Sequence, residues 1–146
     1  VLQKIDVASV LFFLGILLAV AALQDIGHLR TVASYLDKTF AGNIFSINIV
    51  IGLLSSIVDN VPLVAAAQGM YDIAPVGEFA ANGHFWKFLA YCAGTGGSTL
   101  IIGSAAGVAA MGLEKIDFMW YLKKISWLAI IGYFAGAASY FLLFLL

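Results

Sequence analysis

Five stretches of the chain carry no charged side chain: residues 7–24, 41–58, 61–71, 88–113 and 125–146. About 20 apolar residues in helical form cross the hydrocarbon core of a bilayer. The pattern therefore predicts spanning helices over 7–24 and 125–146 and a longer spanning element over 85–112. Between the first two apolar stretches, "HLRTVASYLDKTF" places Leu29, Val32, Ala33, Leu36 and Phe40 at helical spacing, with Arg30, Ser34, Asp37 and Lys38 largely elsewhere on the wheel. This predicts an amphipathic helix over 28–40 lying along the membrane interface. Residues 43–58 and 61–71 would make helices only ~24 and ~17 Å long, so neither need cross alone. They form either one broken span or a re-entrant hairpin over 43–71 with Asp59 and Asn60 at its tip. Pro62 suits the first turn of the second arm, where a missing N–H costs nothing.

Composition places the whole chain in lipid. Of 146 residues 63% are hydrophobic and 10% charged, which predicts an all-α integral membrane protein, one membrane domain over 1–146. A net charge of -1 with no basic cluster excludes a nucleic-acid partner. The single cysteine, Cys92, rules out an internal disulfide and reads as a small core side chain. No HExxH, CxxC, GxSxG or phosphate-binding loop is present, so neither an enzymatic activity nor a cofactor is expected. With 43–71 as a hairpin, Lys4, Lys115, Lys123 and Lys124 fall on one side and Arg30, Lys38 and Lys87 on the other, a slight bias placing the first group in the cytoplasm. The chain starts at Val1 rather than Met, and a fragment of a longer polypeptide is expected.

The interruptions carry the chemistry. "SSIVDNVPLV" sets an aspartate, an asparagine and a proline inside an apolar run, and "GTGGST" at 94–99 places glycines and hydroxyls inside another. Irregular backbone at membrane depth persists only where protein buries it or water reaches it. At such a break the C-terminal end of one half-helix presents carbonyls, which suit a small cation. Side-chain oxygens of Ser55, Asn60, Thr95, Ser98 and Thr99 can complete an oxygen cage. An ionised aspartate in the middle of a span costs roughly 2.5 to 3.5 kcal/mol. Asp59 is the one carboxylate here able either to hold a proton or to coordinate a cation, the minimal device for exchanging the two. Plainer roles exist for the same residues: Asp59 to Pro62 also suits an ordinary interfacial turn, and Gly94 to Gly97 also suits close helix packing. Gly103 with Gly107, and Gly132 with Gly136, read as small-residue packing pairs.

"SSIVDNVPLVAAAQGMYD" followed by "AGTGGSTLIIGSAAGVAAMG" closely resembles the C-terminal half of NhaD-type sodium/proton antiporters, in the ion transporter superfamily that also holds arsenite and dicarboxylate or citrate carriers. The resemblance runs through nearly the whole chain, including "FFLGILLAVAAL". It implies one half of an inverted repeat, in which 43–71 is a hairpin entering from the outer face and 85–112 the matching broken helix. It also implies cation ligands at the Ser55 hydroxyl, the Val58 carbonyl, Asn60 and the Gly94 carbonyl. Asp59 stands where the family's hairpin signature has Ser, and Val61 where it has Thr; an added negative charge repels an anionic substrate and favours coupling to cations or protons.

The reading that follows is secondary active transport: Na+ (or Li+) exchanged for H+, the two competing at a mid-membrane site. Asp59 would carry the proton, and Ser55, Val58, Asp59, Asn60, Gly94, Thr95, Gly97 and Ser98 would surround the cation. The alternatives are an arsenite or organic-anion carrier of the same superfamily and a non-transporting membrane subunit. Expected partners are membrane lipid, the missing first repeat of the same carrier and, for the full protein, a second copy. The expected location is the bacterial inner membrane.

Overall fold

A computed structural model describes residues 7–144; Lys4 and residues 145–146 lie outside the described part. Among the described residues eight α-helices follow one another: α1 (Val7–Asp25), α2 (His28–Phe40), α3 (Ile44–Leu54), α4 (Asn60–Met70), α5 (His84–Gly96), α6 (Ala105–Leu113), α7 (Phe118–Lys124) and α8 (Ser126–Phe144). A short 3-10 turn, Gly97–Thr99, continues from α5. The fold is that of an all-α membrane protein. α8 is long and apolar enough to cross a bilayer by itself, and residues 14–25 together with α2 meet the same measure as a pair bent by 72°. Gly27, in the left-handed region at φ 79, makes that bend.

α2 buries Leu29, Ala33 and Leu36, one stripe of its surface, and leaves Arg30 and Lys38 exposed, while Asp37 is half-buried and accepts the Tyr71 hydroxyl. Asn43 caps α3 with a side-chain oxygen that accepts from the N–H groups of Phe45 and Ser46. α5 is the central post: α3, α4 and α8 all pack on it, whereas α3 and α4 scarcely touch each other. α1 and α2 pack in turn on α4.

The register gives the directions. Asn48 Nδ2 donates to the Phe85 carbonyl near the start of α5, and farther along, the Ser55 hydroxyl donates to the Ala93 carbonyl, so α3 and α5 run parallel. Ala67 and Tyr71, at the far end of α4, share one apolar cluster with Ile47, Phe85 and Leu89, so the chain reverses between α3 and α4. On α8, Tyr133 donates to the Ile49 carbonyl while Tyr140 meets His84, which makes α8 antiparallel to α5. A second cluster of Phe45, Phe88, Cys92, Tyr133 and Ala137 fills the space between α3, α5 and α8. The turn between α3 and α4 therefore arrives at the same level as the C-terminal end of α5.

Candidate functional site

The two interruptions meet at this level, and glycines let them do so. A Cβ on Gly96 would land on the Gly52 carbonyl, and one on Gly103 would land on the Ser55 carbonyl. At Gly97 it would stand 3.0 Å from the Gly103 carbonyl and 3.5 Å from that of Ser55. The backbone of the α3–α4 turn is thus pressed against the segment that follows α5. Two helix C-terminal ends, those of α3 and α5, converge there with their carbonyls, and α4 begins beside them at Asn60. The last-turn carbonyls of α3 accept from the N–H groups of Ser55 to Val58, and in α5 the Ala93 and Thr95 carbonyls accept from the Ser55 hydroxyl and the Gly97 N–H; both helix ends carry partial negative charge.

Ser55 is fully buried, and its hydroxyl donates to the Ala93 carbonyl at 2.7 Å. Asp59 is half-buried and caps α4, one carboxylate oxygen accepting from the Val61 N–H at 3.2 Å. A negative group at a helix N-terminus is favoured there, so Asp59 has a structural role as well as a chemical one. Asn60 and Gly94 line one cavity of about 440 Å³ between α1, α4 and α5, with Leu17, Gln68 and Ala93 in its wall. Gly94 is exposed, and a Cβ there would meet nothing within 4 Å.

Other residues of the sequence-based set are placed differently. The backbone remains helical through Gly94 and Thr95 to Gly96, and the break falls at 97–104, three residues later than the glycine run suggests. Close packing of Gly96 on Gly52 holds that stretch in the helix despite its glycines. The Thr95 hydroxyl is occupied, donating to the Tyr91 carbonyl of its own helix at 2.7 Å. Ser98 is exposed, and its carbonyl accepts the Tyr121 hydroxyl at 2.7 Å. The Val58 side chain is exposed, and its N–H donates to the Leu54 carbonyl. Ser55, Asn60, Gly94 and Gly97 are thus gathered around the end of α5, with Asp59 on the adjoining turn, while the Thr95 hydroxyl donates along its own helix and the Ser98 side chain is exposed.

Gly52 and Gly103 escaped the sequence reading as members of this junction. Gly103 reads as half of a packing pair with Gly107; instead it lies in the break, against the turn, while Gly107 meets the Ile101 carbonyl. The signal for the restart was present: Ser104 caps α6 by accepting from the Gly107 N–H, an ordinary Ser cap ahead of an apolar run. Ile101, just before it, sits at φ 59, where β-branched residues are rarely found.

Sodium/proton antiporter 1 of Arabidopsis thaliana is 54% identical over 95% of the chain, covering 23% of the plant protein. Sodium/proton antiporter 2 of the same plant is 49% identical over 95% of the chain and 32% of its own length. The Na(+)/H(+) antiporter NhaD of Vibrio cholerae is 37% identical over 92% of the chain and 27% of its own length. The chain thus spans about a quarter to a third of the curated relatives it matches. No solved structure matches it. The pattern of the citrate transporter family, CitMHS, matches residues 1–87, from the start of the chain into α5. On that match the chain is an integral membrane protein belonging to the citrate transporter family.

Proposed function

We propose that the chain is part of a secondary Na+/H+ antiporter, with Li+ as a second cation, in which the α3–α4 reversal is a re-entrant hairpin and α5 to α6 a broken span. Relatives named as sodium/proton antiporters, similar over nearly the whole chain, support the reaction class. The observation that carries the site is that Asn60, the first residue of α4 after its Asp59 cap, lines one cavity with Gly94 near the C-terminal end of α5. Asp59 in its ionised form favours a cation beside these carbonyls, and a proton on Asp59 removes that attraction. One site then holds either Na+ or H+, and exchange follows from the competition. Ser55, Asn60 and the carbonyls of Val58 and Gly94 are the oxygens assigned to the cation, with Gly97 supplying the close backbone approach.

The test is Asp59→Asn in the complete carrier, reconstituted in vesicles. Asn caps a helix about as well as Asp, so α4 retains its start. Na+-dependent proton movement is expected to disappear while the protein remains folded, and unchanged exchange defeats the assignment. A second reading has a specific observation behind it: the family pattern is that of citrate transporters. Counterflow with labelled citrate separates the two, since a carboxylate carrier exchanges the label and an antiporter does not. For location, the bacterial relatives support an inner membrane and the plant relatives a plant membrane, and fractionation of the source cells decides between them. The missing repeat of the same carrier and a second copy of the whole protein are the partners this reading requires.

A further inference from the structure

The cavity at Asn60 and Gly94 continues along the molecule. A second cavity, of about 300 Å³, lies between α4, α5 and the loop 72–83, with Ile73, Ala81 and Trp86 at its outer end. The two share Val64, Gln68 and Ala90 in their walls. α4 runs away from Asn60 while α5 runs toward Gly94, so the shared stretch falls between the loop and the site. Gln68 stands about two helical turns from Asn60, ~12 Å along α4. The walls of this stretch are otherwise apolar, and the nearby Trp86 indole N–H is occupied, donating to the Phe79 carbonyl. Gln68 is exposed, and its carboxamide is the polar side-chain group that both cavities have in common. A neutral carboxamide oxygen can replace one water of a monovalent cation, and it holds the ion less firmly than a carboxylate does. Passage needs that combination, binding favourable enough to enter and weak enough to leave.

We infer that the α4–α5 groove is one wall of the route by which the transported cation passes between the face carrying loop 72–83 and the Asn60–Gly94 cavity, with Gln68 as its intermediate ligand. This rests on the antiport reading. It adds a direction of entry and a residue that acts on passage rather than at the site.

The experiment uses the complete carrier. Gln68→Leu should slow Na+-dependent proton movement at low Na+ about tenfold, the worth of one hydrogen bond to a charged group. The Na+ concentration that half-maximally raises its melting temperature should stay that of the wild type. Gln68→Glu should keep or exceed the wild-type rate at low Na+, because a carboxylate attracts a cation, whereas it would repel an anionic cargo. A wild-type rate in Gln68→Leu overturns the inference. So does a loss of rate accompanied by an equal rise in the Na+ needed for stabilisation, since Gln68 would then belong to the site itself. Access is read separately, from Ala90→Cys combined with Cys92→Ala and a membrane-impermeant trimethylammonium thiol reagent. Reaction is expected from the side of sealed vesicles that also labels Asn82→Cys. Reaction from the other side alone, or from neither, overturns the route even where Gln68→Leu fails to fold. A wild type without Na+-dependent exchange removes the antiport reading, and labelling of Ala90→Cys still decides whether a cation enters this groove from that face.

Discussion

Three glycines fix how closely the backbones approach at the centre of this molecule. Gly52 faces Cys92 and the Tyr133 hydroxyl, Gly96 faces the Gly52 carbonyl, and Gly103 faces Ser55 and Ser56. In the two latter contacts the neighbour is backbone, which cannot rotate away as a side chain can. A methyl group at Gly96 therefore forces α3 and α5 apart, and overpacking of this kind costs about 1–3 kcal/mol or more. Gly132 on α8 is the natural control, since a Cβ there meets nothing within 4 Å. There, alanine should be neutral or stabilise by up to about 1 kcal/mol by restricting the unfolded chain. Thermal melting of the complete carrier in detergent is expected to show a clear loss for Gly96→Ala and none for Gly132→Ala. Equal behaviour of the two would mean that the α3–α5 crossing is looser than described.

At the scale of elements, the apolar runs and the amphipathic stretch were legible because burial follows period and length. The buried stripe Leu29, Ala33 and Leu36 of α2 can be read off the chain directly. The position of the second interruption was not, because it depends on Gly96 meeting Gly52, a contact 44 positions apart in the sequence that no local pattern encodes. The polar connection after α6 holds a further element that sequence left unstructured: α7, capped by Asp117, whose side chain accepts from the Trp120 N–H. From α7, outside the spans, Tyr121 donates its hydroxyl to the Ser98 carbonyl and ties the connection to the bend. Burial raises the Tyr121 phenol above its ordinary value of 10. The folded state thus favours the neutral phenol. Its contribution is complete below the unfolded value and is lost as pH rises through the folded one. Tyr121→Phe is expected to lower stability by roughly 1 kcal/mol near neutral pH. The difference from wild type should narrow above about pH 10, where the phenol of the unfolded chain ionises while the folded one still holds its proton. Melting curves of both proteins across that range check the sign, and a gap that widens with pH contradicts it.

For the whole molecule the course of α6 decides the architecture. α5 has 13 residues and α6 has 9, about 20 and 14 Å long, so that end to end they exceed the roughly 30 Å of a hydrocarbon core and can cross it with a bend between them. Either the two continue across the membrane as one broken span, or α6 folds back and the bend is a second tip. The apolar surface of α6 favours the crossing. Val108 and Leu113 are exposed, and the helix packs little on the rest of the described chain, so lipid or further protein must cover it. The loop 72–83 lies at the start of α5, where Tyr71, Phe79 and Phe85 stack. The segment 114–117 follows α6. A crossing puts these two loops on opposite faces of the membrane. Single cysteines at Asn82 and Lys115, introduced into the complete carrier with Cys92→Ala, are therefore expected to react with a membrane-impermeant thiol reagent from opposite sides of sealed vesicles. Labelling of both from the same side would show that α6 returns to the face α5 came from. The carbonyl end of α5 would then lie at the tip of a second hairpin rather than inside a span.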